Sequence, residues 1–367
     1  MDMHFQCSLS DLLPTVNLVE KAVAVQDNIP VLKGIHLAAF GNQVTLTATN
    51  LELGIKTEFP AQIISEGQTV VDGKLMAALV RTLPQEPIIF ELIDQQLIIT
   101  AGSVEFSLTI LPPEDFPQLP EIEDLVFTLP ANQLLTLIRN TIFACGKDDR
   151  RPFVNGVLFE ISDQMLQFAA TDINRLAYDA VPIEQQLPDT QLLIPAKTLQ
   201  ELQRGLPNDD TRIKIAFDTK HVIFEHGNTK ITTRLIDDRF PKYKSLFPQE
   251  EPIRIIINRH FFAAAVERAA LIDSDDGSQI VIFDAADGVL EIRTPSTSKG
   301  KSKEVLNVEH EGENGEAAFS AKYVLDMLKA VDAEQILFHF NSDLRQALMK
   351  GDHNQNQKYI LMPIRLS

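Results

Sequence analysis

The sequence predicts an α+β fold of three tandem similar domains, each with two helices packed on antiparallel sheets. Three observations support this. The chain repeats its landmarks at a spacing of about 120 residues. Each copy reads helix, strands, helix, strands. Strand-like stretches outnumber helical ones throughout. At 367 residues and 44% hydrophobic, the chain is long enough for several cores, and length alone favours two or three domains.

Each copy opens with an amphipathic helix: Leu9–Val25, Ala131–Ala144 and Arg259–Leu271. In the second, Leu134, Leu135, Ile138 and Ile142 form one apolar stripe. Strands follow. "PVLKGIHLAAFGNQVTLTATNLEL" from Pro30 matches "PFVNGVLFEISDQMLQFAATDINRL" from Pro152, so that Pro30/Pro152, Gly34/Gly156 and Thr49/Thr171 share an offset of 122. The third copy, "GSQIVIFDAADGVLEIRT" from Gly277, keeps the strand–turn–strand pattern more loosely. A second helix then starts near Lys74, Lys197 and Lys322, which are 123 and 125 residues apart, and leads into strands such as "RIKIAF". Two copies close on similar punctuation, "TILPPEDFPQLP" from Thr109 and "TRLIDDRFPKYKSLFP" from Thr233, with Phe116 and Phe240 separated by 124 residues. The predicted domains are 1–124, 125–250 and 251–367. A period this long marks tandem domains with separate cores rather than a solenoid.

The formal net charge is −18, which taken alone argues against a nucleic-acid partner. Its distribution argues otherwise. The six helix stretches (8–25, 73–83, 130–144, 195–206, 258–271 and 320–331) hold ten Lys/Arg and five Asp/Glu, whereas the rest of the chain holds 23 and 46. Helix propensity favours Lys and Arg, but it favours Glu about equally. The excess therefore points to a helix-lined face that meets phosphates without reading sequence.

Enzyme signatures fail. "PSTSKGKS" has Pro295 where a phosphate loop needs its first glycine, and "DSDDGS" puts Gly277 where a calcium loop needs an oxygen ligand. His221 and His226 flank a strand and point to opposite faces, and no zinc or serine-nucleophile motif is present. The acid pairs Glu114-Asp115 and Asp237-Asp238 sit in the repeated turns, which favours structure over acid–base work. No catalytic residue, metal or cofactor is predicted. No run of eighteen apolar residues suggests a membrane span, and the N-terminus does not read as a signal peptide. Cys7 and Cys145 read as core residues of a reducing, cytoplasmic protein.

In their order and spacing, "FAATDINRLA" at Phe168, "LIDDRFPKYKSLFP" at Leu235, "FSLTILPPEDFP" at Phe106 and the ending "YILMPIRL" at Tyr359 resemble the bacterial DNA sliding clamps, the beta subunits of DNA polymerase III. The resemblance covers essentially the whole chain. It implies a head-to-tail homodimer forming a six-domain ring, with twelve helices facing duplex DNA and the strands outside. The implied role is a non-catalytic processivity factor that tethers the polymerase III catalytic subunit. The clamp loader complex and other proteins bearing clamp-binding motifs are further implied partners. A clamp-fold peptide scaffold that never encircles DNA is the alternative.

The resemblance also implies sites. A hydrophobic peptide pocket between the second and third domains would involve Val154, Thr171, Ile173, Leu176, Pro241, Leu246, Ile360, Met362, Pro363, Ile364 and Leu366, with Arg175 and Arg365 at its rim. Ile173 and Asn174 stand where many relatives carry Gly and His. Ile173 is expected to hold its backbone at negative φ and narrow the groove. A distributed DNA-facing set would comprise Lys74, Arg81, Arg139, Lys147, Arg150, Arg151, Phe153, Lys197 and Arg204. The ring joint would set Phe106 and Leu108 of one chain against Leu271 and Ile272 of the next.

Overall fold

The computed structural model describes every residue except 1–2, 27, 123–125, 149, 249–251, 273–278, 297, 355 and 366–367. The chain forms two compact bodies, Met1–Asn132 with Glu201–Leu235, and Gln133–Gln200 with Ile236–Ser367. Their border runs through the second sequence repeat. No helix among the described residues is long and apolar enough to cross a membrane.

Six α-helices fall inside the six stretches marked by periodicity: α1 (Leu9–Val19), α2 (Gly73–Val80), α3 (Ala131–Thr141), α4 (Ala196–Gly205), α5 (Arg259–Ala269) and α6 (Ala321–Ala330). Polar side chains cap four of them. Ser8, Asp72, Asn258 and Ser320 each accept a backbone N–H of the first turn, a contact worth about 1 kcal/mol. α1 is shorter than its pattern. It tightens into a 3-10 turn at Glu20–Ala22, and Val23 is extended. The Ala24 N–H then bonds the Leu32 carbonyl at 2.9 Å, which carries the chain away from the helix axis.

The first body is built on one antiparallel sheet of thirteen strands, with Val126–Pro130 at one edge and Gln62–Ser65 at the other. α1 buries Leu9, Leu12, Val16 and Val19, and packs beside α2. The sheet ignores the sequence repeat: strand Thr229–Arg234 pairs with strand Leu53–Pro60 through five residue pairs.

The second body holds a nine-stranded and a four-stranded antiparallel sheet. α5 and α6 pack together over a phenylalanine core. Phe283 lies 5.3, 5.6 and 5.8 Å from Phe262, Phe319 and Phe338, ring centroid to centroid. The last strand, Lys358–Leu361, is internal to the nine-stranded sheet, between Arg175–Pro182 and Ala347–Gly351.

The repeated landmarks have physical causes. Cβ atoms at Gly34 and Gly156 would run into Val70 and the Ile194 carbonyl, so both positions need glycine for close approach. Each Phe-Pro closure folds back on its own repeat. Phe116 stacks on His36 at 5.3 Å, and Phe240 meets Phe153 edge-on at 6.1 Å and Tyr243 at 5.9 Å.

Candidate peptide-binding site and nucleic-acid face

The expected groove residues lie in the second body. Leu176 and Ile360 are register partners on adjacent strands, and Thr171 pairs with Leu176. Leu158, Ala169, Leu176, Tyr243 and Ile360 form one buried apolar cluster, with Tyr178, Phe240 and Phe247 packed on it. Tyr243 is pinned there by donating to Glu160 at 2.5 Å, and Lys244 pairs with the same carboxylate at 3.1 Å. Burial opposes ionisation of Glu160. The bonds from Tyr243, Gln191 and Lys244 outweigh it and hold the carboxyl below its ordinary range.

Val154, Thr171, Leu176 and Ile360 are all buried. The accessible apolar surface comes instead from Ile173, Leu246 and Met362, exposed by 42%, 42% and 41%. Pro241 is exposed, and Pro363 and Ile364 are half-buried. The tail is tied down: Met362 N–H donates to the Asn174 carbonyl at 2.9 Å and Ile364 N–H to the Ala318 carbonyl at 2.7 Å. Arg365 is exposed, while Leu366 lies outside the described residues.

Two expectations about this region are corrected. Ile173 has φ +85°, not a negative value. Its turn is over-determined by side chains. Thr171 Oγ1 accepts the Ile173 N–H at 2.9 Å, and Asp172 Oδ1 accepts the N–H groups of Asn174 and Arg175, each at 3.1 Å. The same turn occurs one repeat earlier. Leu51 has φ +70°, Thr49 accepts its N–H, and Asn50 accepts those of Glu52 and Leu53. The conformation belongs to the repeated motif, and the residue type yields to it. Arg175, in turn, is not at a rim. It is 6% exposed, and Asp172, Asp326, the Phe143 carbonyl and the Tyr323 ring enclose its guanidinium.

All eight expected DNA-facing cations are exposed. Lys74 and Arg81 belong to α2 and its C-cap, Arg139 to α3, and Lys197 and Arg204 to α4. Lys147, Arg150 and Arg151 lie in the loop after the 3-10 turn Ile142–Ala144. Three carry acids of their own, which the charge count missed. Arg81 pairs with Glu20 and donates to Asn17 at 2.9 Å; Arg151 pairs with Asp148 and Arg204 with Glu201, both at 2.7 Å. The Arg204–Glu201 spacing was legible on a helix, whereas Glu20 reaches Arg81 from another helix. The ninth expected residue, Phe153, is half-buried against Phe240, because an aromatic edge contact removes it from solvent.

At the expected ring joint, Phe106 is 37% and Leu271 80% exposed, and Ile272 is half-buried. Leu108 is corrected: at 6% exposure it belongs to its own core. An open cleft of about 630 Å³ at the start of α1 is lined by other residues, among them Gln6, Ser8 and Gln62.

The family model for the DNA polymerase III beta subunit N-terminal domain matches residues 3–120, that for the central domain 128–242, and that for the C-terminal domain 244–365. The beta sliding clamp of Halalkalibacterium halodurans is 32% identical, covering 99% of this chain and 100% of that one. The DNA polymerase sliding clamp of Bacillus subtilis superposes with a TM-score of 0.97 at 29% identity over 100% of both chains. The Pseudomonas aeruginosa clamp, solved with bound griselimycin, gives 0.94 at 28% identity, also over 100% of both. With its three-fold repeat matched domain by domain, the chain belongs to the DNA polymerase III beta subunit family of sliding clamps.

Proposed function

We propose that this sliding clamp, a non-catalytic polymerase subunit, acts as a head-to-tail homodimeric ring of six modules, bounded in each chain near 1–124, 125–250 and 251–367. One observation carries the ring reading: among the described residues, strand Val104–Leu111 has a second neighbour only at Ile110 and Leu111, and strand Lys303–Asn307 is one end of the four-stranded sheet, so each offers an open edge. Adding the edge of one chain to that of the next is a heterologous contact, which closes into a ring when the rotation permits. Phe106, Val305 and Leu271 supply exposed apolar side chains for it.

A closed ring holds duplex DNA by topology, so its phosphate contacts can stay weak and sequence-blind. The basic helices supply those contacts while the acidic remainder of the chain discourages stray binding. The groove of Ile173, Leu246 and Met362 captures apolar side chains of linear peptides from the polymerase catalytic subunit, the clamp loader and other partners. Tethering raises the polymerase's effective concentration at the primer end. The test is retention. Ring loaded on nicked circular DNA should stay bound through gel filtration and leave once the circle is linearised. Equal loss from both forms would sink the reading and favour a scaffold.

A further inference from the structure

Arg175 is the most heavily engaged cation of the candidate site. Its Nε donates to Asp172 Oδ2 at 2.9 Å, Nη1 to Asp326 Oδ2 at 2.7 Å and Nη2 to the Phe143 carbonyl at 2.6 Å. The guanidinium also lies 4.3 Å from the Tyr323 ring centroid and 5.4 Å from that of Phe143. Three chain segments therefore meet on one side chain: the turn after strand Met165–Thr171, the 3-10 turn following α3, and α6.

Asp172 is the second half of the device. One carboxylate oxygen holds Arg175, and the other holds the backbone N–H groups of Asn174 and Arg175. The carbonyl of Asn174 accepts the Met362 N–H at 2.9 Å. A continuous polar chain thus runs from Asp326 on α6 through Arg175 and Asp172 to the turn that carries Ile173, and on to the tail that carries Met362. Ile173 and Met362 are both exposed apolar side chains of the candidate groove.

We propose that Arg175 is a positioning residue for the groove. It sets the separation of Ile173 and Met362 by locking the turn to α6 and to the end of α3. The inference rests on the groove reading above. A lysine preserves the charge but cannot supply three planar, divergent donors, so it should not hold this geometry. Asp326 is the gentler lever, since its side chain is 27% exposed and Asn keeps its shape.

The experiment titrates griselimycin into the full-length dimer by calorimetry, with dimer mass and retention on nicked circular DNA measured alongside. Met362→Glu tests the groove: unchanged binding by that variant would overturn the groove reading itself. With binding abolished there, Asp326→Asn is expected to weaken griselimycin about threefold and Arg175→Lys at least tenfold, with mass and retention unchanged. Binding by Asp326→Asn indistinguishable from wild type overturns the proposal, even where Arg175→Lys does not fold. So does a parallel loss of binding, dimer and retention, which would make Arg175 a support of the fold alone.

Discussion

Ile173 and Leu51 hold left-handed backbone with side chains that disfavour it. Such a conformation costs about 1–2 kcal/mol per non-glycine residue. Ile173→Gly should therefore stabilise the protein by about 1 kcal/mol in urea unfolding, despite the greater freedom glycine gives the unfolded chain. A destabilised Ile173→Gly would mean that the isoleucine contributes packing that its exposure does not suggest. The sequence makes the turn itself legible, because Thr49-Asn50 and Thr171-Asp172 recur at one offset and both pairs can accept nearby N–H groups. Its handedness was not legible, since a β-branched residue at that place argues locally for the opposite sign. Arg175 failed to read as buried for a similar reason: its neutralising partner Asp326 lies 151 residues away.

At the scale of helices, apolar periodicity and the spacing of the repeat are enough to locate the six described helices, and the unequal sharing of charge between helices and strands is visible in the sequence. The pairing of individual cations was not, because it depends on which helices become neighbours. Glu20 against Arg81 and Glu201 against Arg204 leave those arginines partly spoken for. On the ring reading proposed above, a phosphate would have to compete with a carboxylate at each of them. The double variant Glu20→Gln, Glu201→Gln should bind a short duplex more tightly at low salt. The slope of log K against log salt should steepen by about 1 for each additional phosphate engaged. Arg81→Gln should weaken binding more in the Glu20→Gln background than in wild type. An unchanged slope, with no coupling between the two sites, would place these arginines away from DNA.

For the whole molecule, the proposed joint between copies sets apart two kinds of apolar residue that look alike in sequence: exposed Phe106 and Leu271, and buried Leu108. Leu271→Ala with Ile272→Ala should yield monomers by sedimentation while the melting temperature of the chain hardly moves. Leu108→Ala should instead lower stability by about 2–5 kcal/mol through a core cavity. Dimers that survive the first change would relocate the joint. Fold class and repeat order were readable because each repeat must bury its own face. Sheets crossing from one repeat to the next were not, because an edge strand's partner is set by geometry far along the chain.

The ladder between Leu53–Pro60 and Thr229–Arg234 has a practical consequence. A protease that cuts between Pro117 and Glu121 severs the covalent tie between the first and second repeats and leaves these five residue pairs stitched edge to edge. The two fragments would travel together as though uncut, and would part only when the backbone lacing itself is melted.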